Sequence, residues 1–257
     1  MSGNNGTFLD RLLQRRTLAR WNRAARLAPQ LDAGELQRMR TDARLLRRDI
    51  DRVLHEADGR LAMPFEGGDG IRRPLGCDWA WRPELWSGPV NPAGFVATGT
   101  RQSLGSELTL FHDDPGAGLA LRQFGDVRPD KAAPCAVALD VYDFGGTLLS
   151  LVLALPESLL DGLRRNHLIR LAMTADVERP LKVFCRLNIR HGPNTAQMIR
   201  EMPLNSGASF VDFDLGSARL NEKRLESAWV DLIFENARMN RVVLRDLSLA
   251  RHPRAEI

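Results

Sequence analysis

The stretch LIRLAMTADVERPLKVFCRLNIRH, residues 168–191, decides the fold class. In its second arm Val183, Cys185, Leu187 and Ile189 alternate with Lys182, Phe184, Arg186, Asn188 and Arg190. In its first arm Ile169, Leu171, Met173, Ala175 and Val177 alternate with Arg170, Thr174, Asp176 and Glu178. A sustained period of two makes a strand with one face buried and one free to meet water or a ligand. The pattern predicts two strands, 168–178 and 181–191, joined as a hairpin through Arg179-Pro180. Their free faces, rich in arginine and carboxylate, are the first place to look for function.

The same period recurs outward from this pair. Strands are expected at 95–98, 107–112, 119–124, 136–144, 147–155, 196–202, 209–215, 228–235 and 242–250, with a short helix within 156–165. Gly145-Gly146 has the composition of a two-residue hairpin turn, and 147–155, apolar on both faces, reads as a central strand. About ten or eleven strands without intervening helices exclude parallel βαβ wiring and indicate an antiparallel two-sheet sandwich of jelly-roll type. In the last pair Ala228, Val230, Leu232 and Phe234 face one way, and Trp229, Asp231, Ile233 and Glu235 the other, before a turn at 236–240 into 242–250. This ending resembles the closing strand pair of galactose-binding-like and carbohydrate-binding β-sandwiches.

Upstream the chain is helical. Thr7 with Asp10 suits the start of a helix running to about Ala28, ahead of Pro29, with Phe8, Leu12, Leu18, Trp21 and Ala25 as a broken apolar stripe. In the second helix Asp32 to Glu35 has capping-box spacing and Gly59 suits the stop. Leu36, Met39, Ala43, Leu46, Ile50, Val53 and Ala57 then form an a/d seam over about three heptads. That seam needs a partner: the first helix folded back as a helical hairpin, or a second copy of the chain. The organisation expected is therefore an Arg-rich helical hairpin (1–60), a Trp/Pro/Gly-rich linking segment (61–94) and a β-sandwich (95–257): mainly β, with an N-terminal α part.

Charge sharpens the partner classes. The formal net charge is +4, yet residues 1–60 hold 13 arginines against 8 carboxylates, and only Lys131, Lys182 and Lys223 are lysines. Arginine's planar fork suits phosphate or carboxylate, although a solvated helix face, with Asp42, Asp49, Asp51 and Glu56 to pair with, accounts for the same residues. Nucleic acid is disfavoured because aromatic residues for base stacking are lacking apart from Trp21. Contact with a membrane surface stays open without being favoured. In the linking segment Trp79, Trp81 and Trp86 either stack on a sugar or pin a long loop to the sandwich. Three widely separated cysteines, Cys77, Cys135 and Cys185, fit a reducing compartment, and the N-terminal residues lack a secretory pattern, so a cytoplasmic location is expected.

No catalytic constellation emerges. None of His55, His112, His167, His191 and His252 has metal-ligand spacing, and GxSxG, P-loop and GxGxxG signatures are absent. No metal or cofactor is expected. His112-Asp113-Asp114 precedes Pro115-Gly116 and reads as a turn in which aspartates bond the backbone. Asp212 with Asp214 and Asp231 with Glu235 are more easily explained by cross-strand pairing with Arg186 or Arg190 than as a glycosidase pair.

Residues 74–83 (PLGCDWAWRP), 186–195 (RLNIRHGPNT), 221–224 (NEKR) and 251–256 (RHPRAE) resemble an uncharacterised alphaproteobacterial, Rhodobacter-type family of unknown function. The resemblance spans nearly the whole chain. It implies a bacterial protein and supplies neither catalytic residues nor a cofactor.

Three readings follow. The first is a non-catalytic binding module in which Arg170, Arg186, Asn188, Arg190, Asp212, Trp229 and Asp231 share one sheet face and take a carbohydrate or other acidic or polar ligand. The second is a structural or assembly protein that uses the 36–57 seam and the Trp segment for protein contacts, with homo-oligomers among the outcomes. The third is a carbohydrate-active enzyme.

Overall fold

The computed structural model describes residues 8–61, 70–126, 132–204 and 207–254. The expected Thr7 cap, the glycines at 67 and 68, and the side chains of Phe8, Leu12 and Ala57 lie outside the described part. The chain divides into two compact units, Met1–Arg52 and Val53–Ile257.

In the first unit α1 (Phe8–Leu27) leads through a 3-10 turn at Ala28–Gln30 into α2 (Ala33–Leu61). Asp32 caps α2 as its sequence position predicts, its Oδ1 accepting from the Glu35 N–H at 2.8 Å. The helix does not stop at Gly59 but continues to Leu61; a glycine in a helix interior costs about 1 kcal/mol, too little to end the helix alone. Near the turn Trp21, Leu31 and Met39 line a common groove. Along the rest of the seam Leu36, Leu46, Ile50 and Val53 stay 37–67% exposed.

The second unit is a sandwich of two antiparallel sheets. Its elements are β1 (Trp79–Trp81), α3 (Glu84–Ser87), β2 (Gly94–Val96), β3 (Arg101–Leu104), β4 (Leu108–His112), β5 (Gly118–Gly125) and β6 (Cys135–Asp143). They continue with β7 (Leu149–Ala154), β8 (His167–Val177), β9 (Lys182–His191), β10 (Asn194–Met202), β11 (Ala208–Asp214), β12 (Leu225–Glu235) and β13 (Asn240–Pro253). The seven-stranded sheet has the order β11-β8-β13-β6-β5-β2, with β1 also on β13; the six-stranded sheet has the order β10-β9-β12-β7-β4-β3. Strands β1 and β3 escaped the sequence reading because three or four residues show too little alternation.

The core forms where the predicted apolar faces meet. Val183, Cys185, Leu187 and Ile189 of β9 face Ile169 and Leu171 of β8, all 0% exposed. Leu149, Leu151 and Leu153 of β7 are equally buried, and β7 lies between β12 and β4 as a central strand. Burial pushes the Cys185 thiol up to about 12.

The expected hairpin 168–191 does not form. Strand β8 pairs with β11 and β13, whereas β9 pairs with β10 and β12 in the opposite sheet. Arg179-Pro180 therefore carries the chain across the core. The favoured two-residue hairpin turns need positive φ at one or both central positions, and this pair offers neither glycine nor asparagine. Gly145-Gly146 is likewise a crossing, from β6 to β7, and 236–240 crosses from β12 to β13. At the first of these, Asp113 explains the glycine: it accepts from the Thr147 and Leu148 N–H groups at 2.9 and 3.0 Å, and a Cβ on Gly146 would stand 2.0 Å from its Oδ1. These bonds, with one from the Thr147 hydroxyl, hold the Asp113 carboxyl at about 2. The His112-Asp113-Asp114 segment is thus a turn of the kind expected, with Asp114 accepting from Gly116 and Gly145.

Candidate functional site

Splitting the hairpin splits the candidate face. Arg170 and Asp212 lie on the outer side of the seven-stranded sheet; Arg186, Asn188, Arg190, Trp229 and Asp231 lie on the outer side of the six-stranded sheet. The seven residues do not share a surface, because the two strands that carry them point their polar sides away from a common core.

On the seven-stranded sheet the charges are matched among themselves. Arg170 donates to both carboxylate oxygens of Asp212 at 2.8 and 2.7 Å and lies 3.9 Å over the Phe210 ring. The carboxylate raises the guanidinium pKa. Asp140 receives Arg122 at 3.1 Å and Arg241 at 3.3 Å, and Arg245 meets Asp176 at 2.6 Å. Partly exposed pairs like these contribute about 0–1 kcal/mol each and leave little charge for a ligand. Asp214, at the end of β11, pairs with Arg254 at 3.3 Å and accepts from the Gly216 N–H.

The outer side of the six-stranded sheet is different in kind. Strand register sets three cross-strand rows: Gln197, Asn188, Trp229 and Ala154; then Ile199, Arg186, Asp231, Val152 and Thr109; then Glu201, Phe184, Ile233, Ser150 and Phe111. Trp229, Phe184, Ile233 and Phe111 are each half-buried, so aromatic and apolar surface reaches solvent beside polar groups. Asp231, only 3% exposed, accepts from Arg186 Nε at 2.6 Å and from Asn188 Nδ2 at 3.0 Å. A buried carboxylate needs such partners, since an unpaired one costs several kcal/mol. Asn188 is fully buried, and its Oδ1 has no hydrogen-bond partner. Arg190 turns outward to Glu226 at 3.0 Å. The aromatic neighbours Phe184 and Phe111 were missed in sequence because nothing local shows which strands lie next to Trp229.

The tryptophan segment divides by function. Trp86 is 0% exposed and donates from Nε1 to the Leu244 carbonyl at 2.9 Å, where a bulge at Arg245 interrupts β13. Arg82 donates to Asp246 at 2.9 Å beside it. Gln123 completes the anchoring: its Nε2 reaches the Leu85 and Gly88 carbonyls at 2.7 Å, and its Oε1 accepts from Val90. Trp86 is thus a pin. Trp79 and Trp81 lie on one side of β1, half-buried against the core with ring centroids 6.4 Å apart, and Trp79 Nε1 donates to the Ser158 hydroxyl.

Glu107 and Glu84 meet at the edge of the six-stranded sheet. Glu107 Oε2 accepts from the Glu84 N–H at 2.7 Å, and the Glu84 carboxylate accepts from the backbone and hydroxyl of Ser106. Burial, with the neighbouring carboxylate adding to it, pushes Glu107 up to about 7. Among the described residues no three His, Cys, Asp or Glu side chains converge as metal ligands. No described helix is long and apolar enough to cross a membrane.

Fold and surface define a mainly β protein: an antiparallel two-sheet sandwich with an N-terminal helical segment. Residues 1–257 match the family of unknown function DUF6478, and the chain belongs to that family. No curated protein matches. Among solved structures, a family 11 carbohydrate-binding module of Clostridium thermocellum, in complex with a β-1,3-1,4-mixed-linked tetrasaccharide, is similar at 11% identity, with 61% of this chain and 94% of that one covered and a TM-score of 0.37. A xylan-binding domain of Paenibacillus barcinonensis is similar at 10% identity, covering 65% and 100%, with a TM-score of 0.36. The enzymatically active domain of a bacteriophage CBA120 tailspike protein is 9% identical; the match covers 55% of this chain and 18% of that one, at a TM-score of 0.37.

Proposed function

We propose that the sandwich is a non-catalytic binding module and that the outer face of its six-stranded sheet takes a carbohydrate. The observation that carries this reading is the cross-strand row in which the half-buried Trp229 is followed by Asn188 and then by the exposed Gln197. An indole face packs on the C–H side of a sugar ring, and the exposed Gln197 amide, two strands along the row, meets the hydroxyls. The buried Asp231, itself bonded to Asn188, holds the partly exposed Arg186 head in place beside this row. A glycan array probed with the full chain and with Trp229→Ala tests the proposal. Saccharide signals that vanish in the variant support it; an array on which the two proteins are indistinguishable overturns it.

A second reading is assembly. It is supported by the exposed apolar positions Leu36, Leu46, Ile50 and Val53 at heptad spacing, for which a second copy of the same seam is the simplest cover.

A further inference from the structure

We infer that one end of the sandwich carries a separate site for a small oxyanionic ligand about one sugar ring in size. Three segments far apart in sequence meet there: the loop before β8, the β9–β10 turn, and the stretch between β11 and β12. They enclose an open cleft of about 360 Å³, lined by Arg165, Arg219, Arg224, His191, Asn194 and Asn221 over the apolar side chains of Pro193 and Leu220.

The walls are held by hydrogen bonds that leave the arginine heads of two of them unspent. The Gly192 N–H donates to the Arg224 carbonyl at 3.1 Å, with Gly192 at a φ of +60 that favours glycine. The Arg224 N–H returns to the Asn221 carbonyl at 3.1 Å. On the other side the Arg165 N–H donates to Glu222 Oε1 at 2.7 Å and its guanidinium to the Gly216 carbonyl at 3.0 Å.

The charge is what singles the cleft out. On the sheet faces Arg170, Arg186 and Arg245 each meet a carboxylate. Among the described residues neither Arg219 nor Arg224 does, although both face the cavity that Arg165 also lines. The nearest carboxylates in sequence are engaged elsewhere, Glu222 with the Arg165 backbone and Glu226 with Arg190. Like charges gathered around one cleft repel each other. A bound oxyanion reverses the sign of that interaction and accepts from planar forks suited to two oxygens at once. Asn194 and Asn221 add amides for hydroxyl oxygens. An open cleft of this volume has room for a monosaccharide bearing one acidic group.

Carboxylate and phosphate share this chemistry, so the test carries an arm for each. Titration calorimetry of the full chain at low ionic strength uses glucose, glucuronate and glucose 6-phosphate as probes, with wild type, Trp229→Ala and the exposed pair Arg219→Ala/Arg224→Ala. The expected result is binding of at least one charged probe, weakened about ten-fold or more in the arginine variant and unchanged in Trp229→Ala, with glucose silent. The stronger of the two charged probes identifies the acidic group. Equal binding by the arginine variant, or charged probes no tighter than glucose, overturns the inference. Retention in Trp229→Ala keeps this result distinct from the fate of the sheet-face proposal.

Discussion

Replacing Glu107 by glutamine should stabilise the protein above neutral pH and leave its stability in acid unchanged. Glu107 sits one residue before β4, its backbone carbonyl accepting from the Ala154 N–H at 2.8 Å and its carboxyl from the Glu84 N–H at 2.7 Å. Burial moves it from an ordinary 4.5 to about 7. Below pH 4.5 the side chain is protonated in both folded and unfolded chains, so folding loses nothing there. Between 4.5 and about 7 the unfolded chain releases its proton while the folded one keeps it, and stability falls as pH rises. Each tenfold change in proton affinity is worth about 1.4 kcal/mol, so the loss reaches about 3 kcal/mol above pH 7. Glutamine keeps an acceptor for the Glu84 N–H and cannot ionise. His167 acts in the opposite sense: burial lowers its pKa from 6.5, so its contribution is lost as pH falls. It is the same in both proteins and cancels in the difference. Urea unfolding followed by tryptophan fluorescence at about pH 5 and about pH 8 measures the pair of curves. A difference between the two proteins that changes by less than about 0.5 kcal/mol across that range would refute the reasoning.

The arginines of the two sheet faces should separate in a urea series. Arg186→Ala leaves Asp231, 3% exposed, with a buried charge and should cost about 2–4 kcal/mol. Arg170→Ala should cost only about 1 kcal/mol, because that pair is 26% and 29% exposed; equal losses would contradict the burial argument. Trp86→Phe removes the bond to the Leu244 carbonyl and part of a fully buried ring, and should lower thermal stability by about 2–3 kcal/mol. Sedimentation of the intact chain should show self-association that Leu46→Glu/Ile50→Glu abolishes; a monomeric wild-type chain sinks the assembly reading.

Much of the strand content was legible because alternation is a property of the chain alone. The inward positions Val183, Cys185, Leu187 and Ile189 follow directly from it, and all are fully buried. Pairing was not legible. Arg179-Pro180, Gly145-Gly146 and the 236–240 turn reverse the chain, but a reversal within a sheet and one across a core use similar residues. The candidate site inherited that ambiguity: Asp212 and Asp231 look equivalent as strand carboxylates, yet one meets Arg170 and the other Arg186 on opposite surfaces. The basic cleft left only fragments in the sequence, 191–194 and 221–224, because loop residues have no period and their meeting depends on strands elsewhere.

Strand β13 pairs with β8 along one edge and with β6 and then β1 along the other. All three partners precede it in the chain, so during synthesis their bonding edges stand open until residues 240–253 have been made. The seven-stranded sheet therefore cannot close from one end as the chain emerges, and its assembly depends on contacts of long sequence separation, which are slow to form. Exposed strand edges of that kind invite pairing with other chains. A break within β13 would leave β6 and β8 without their common neighbour and unmake the sheet from its middle.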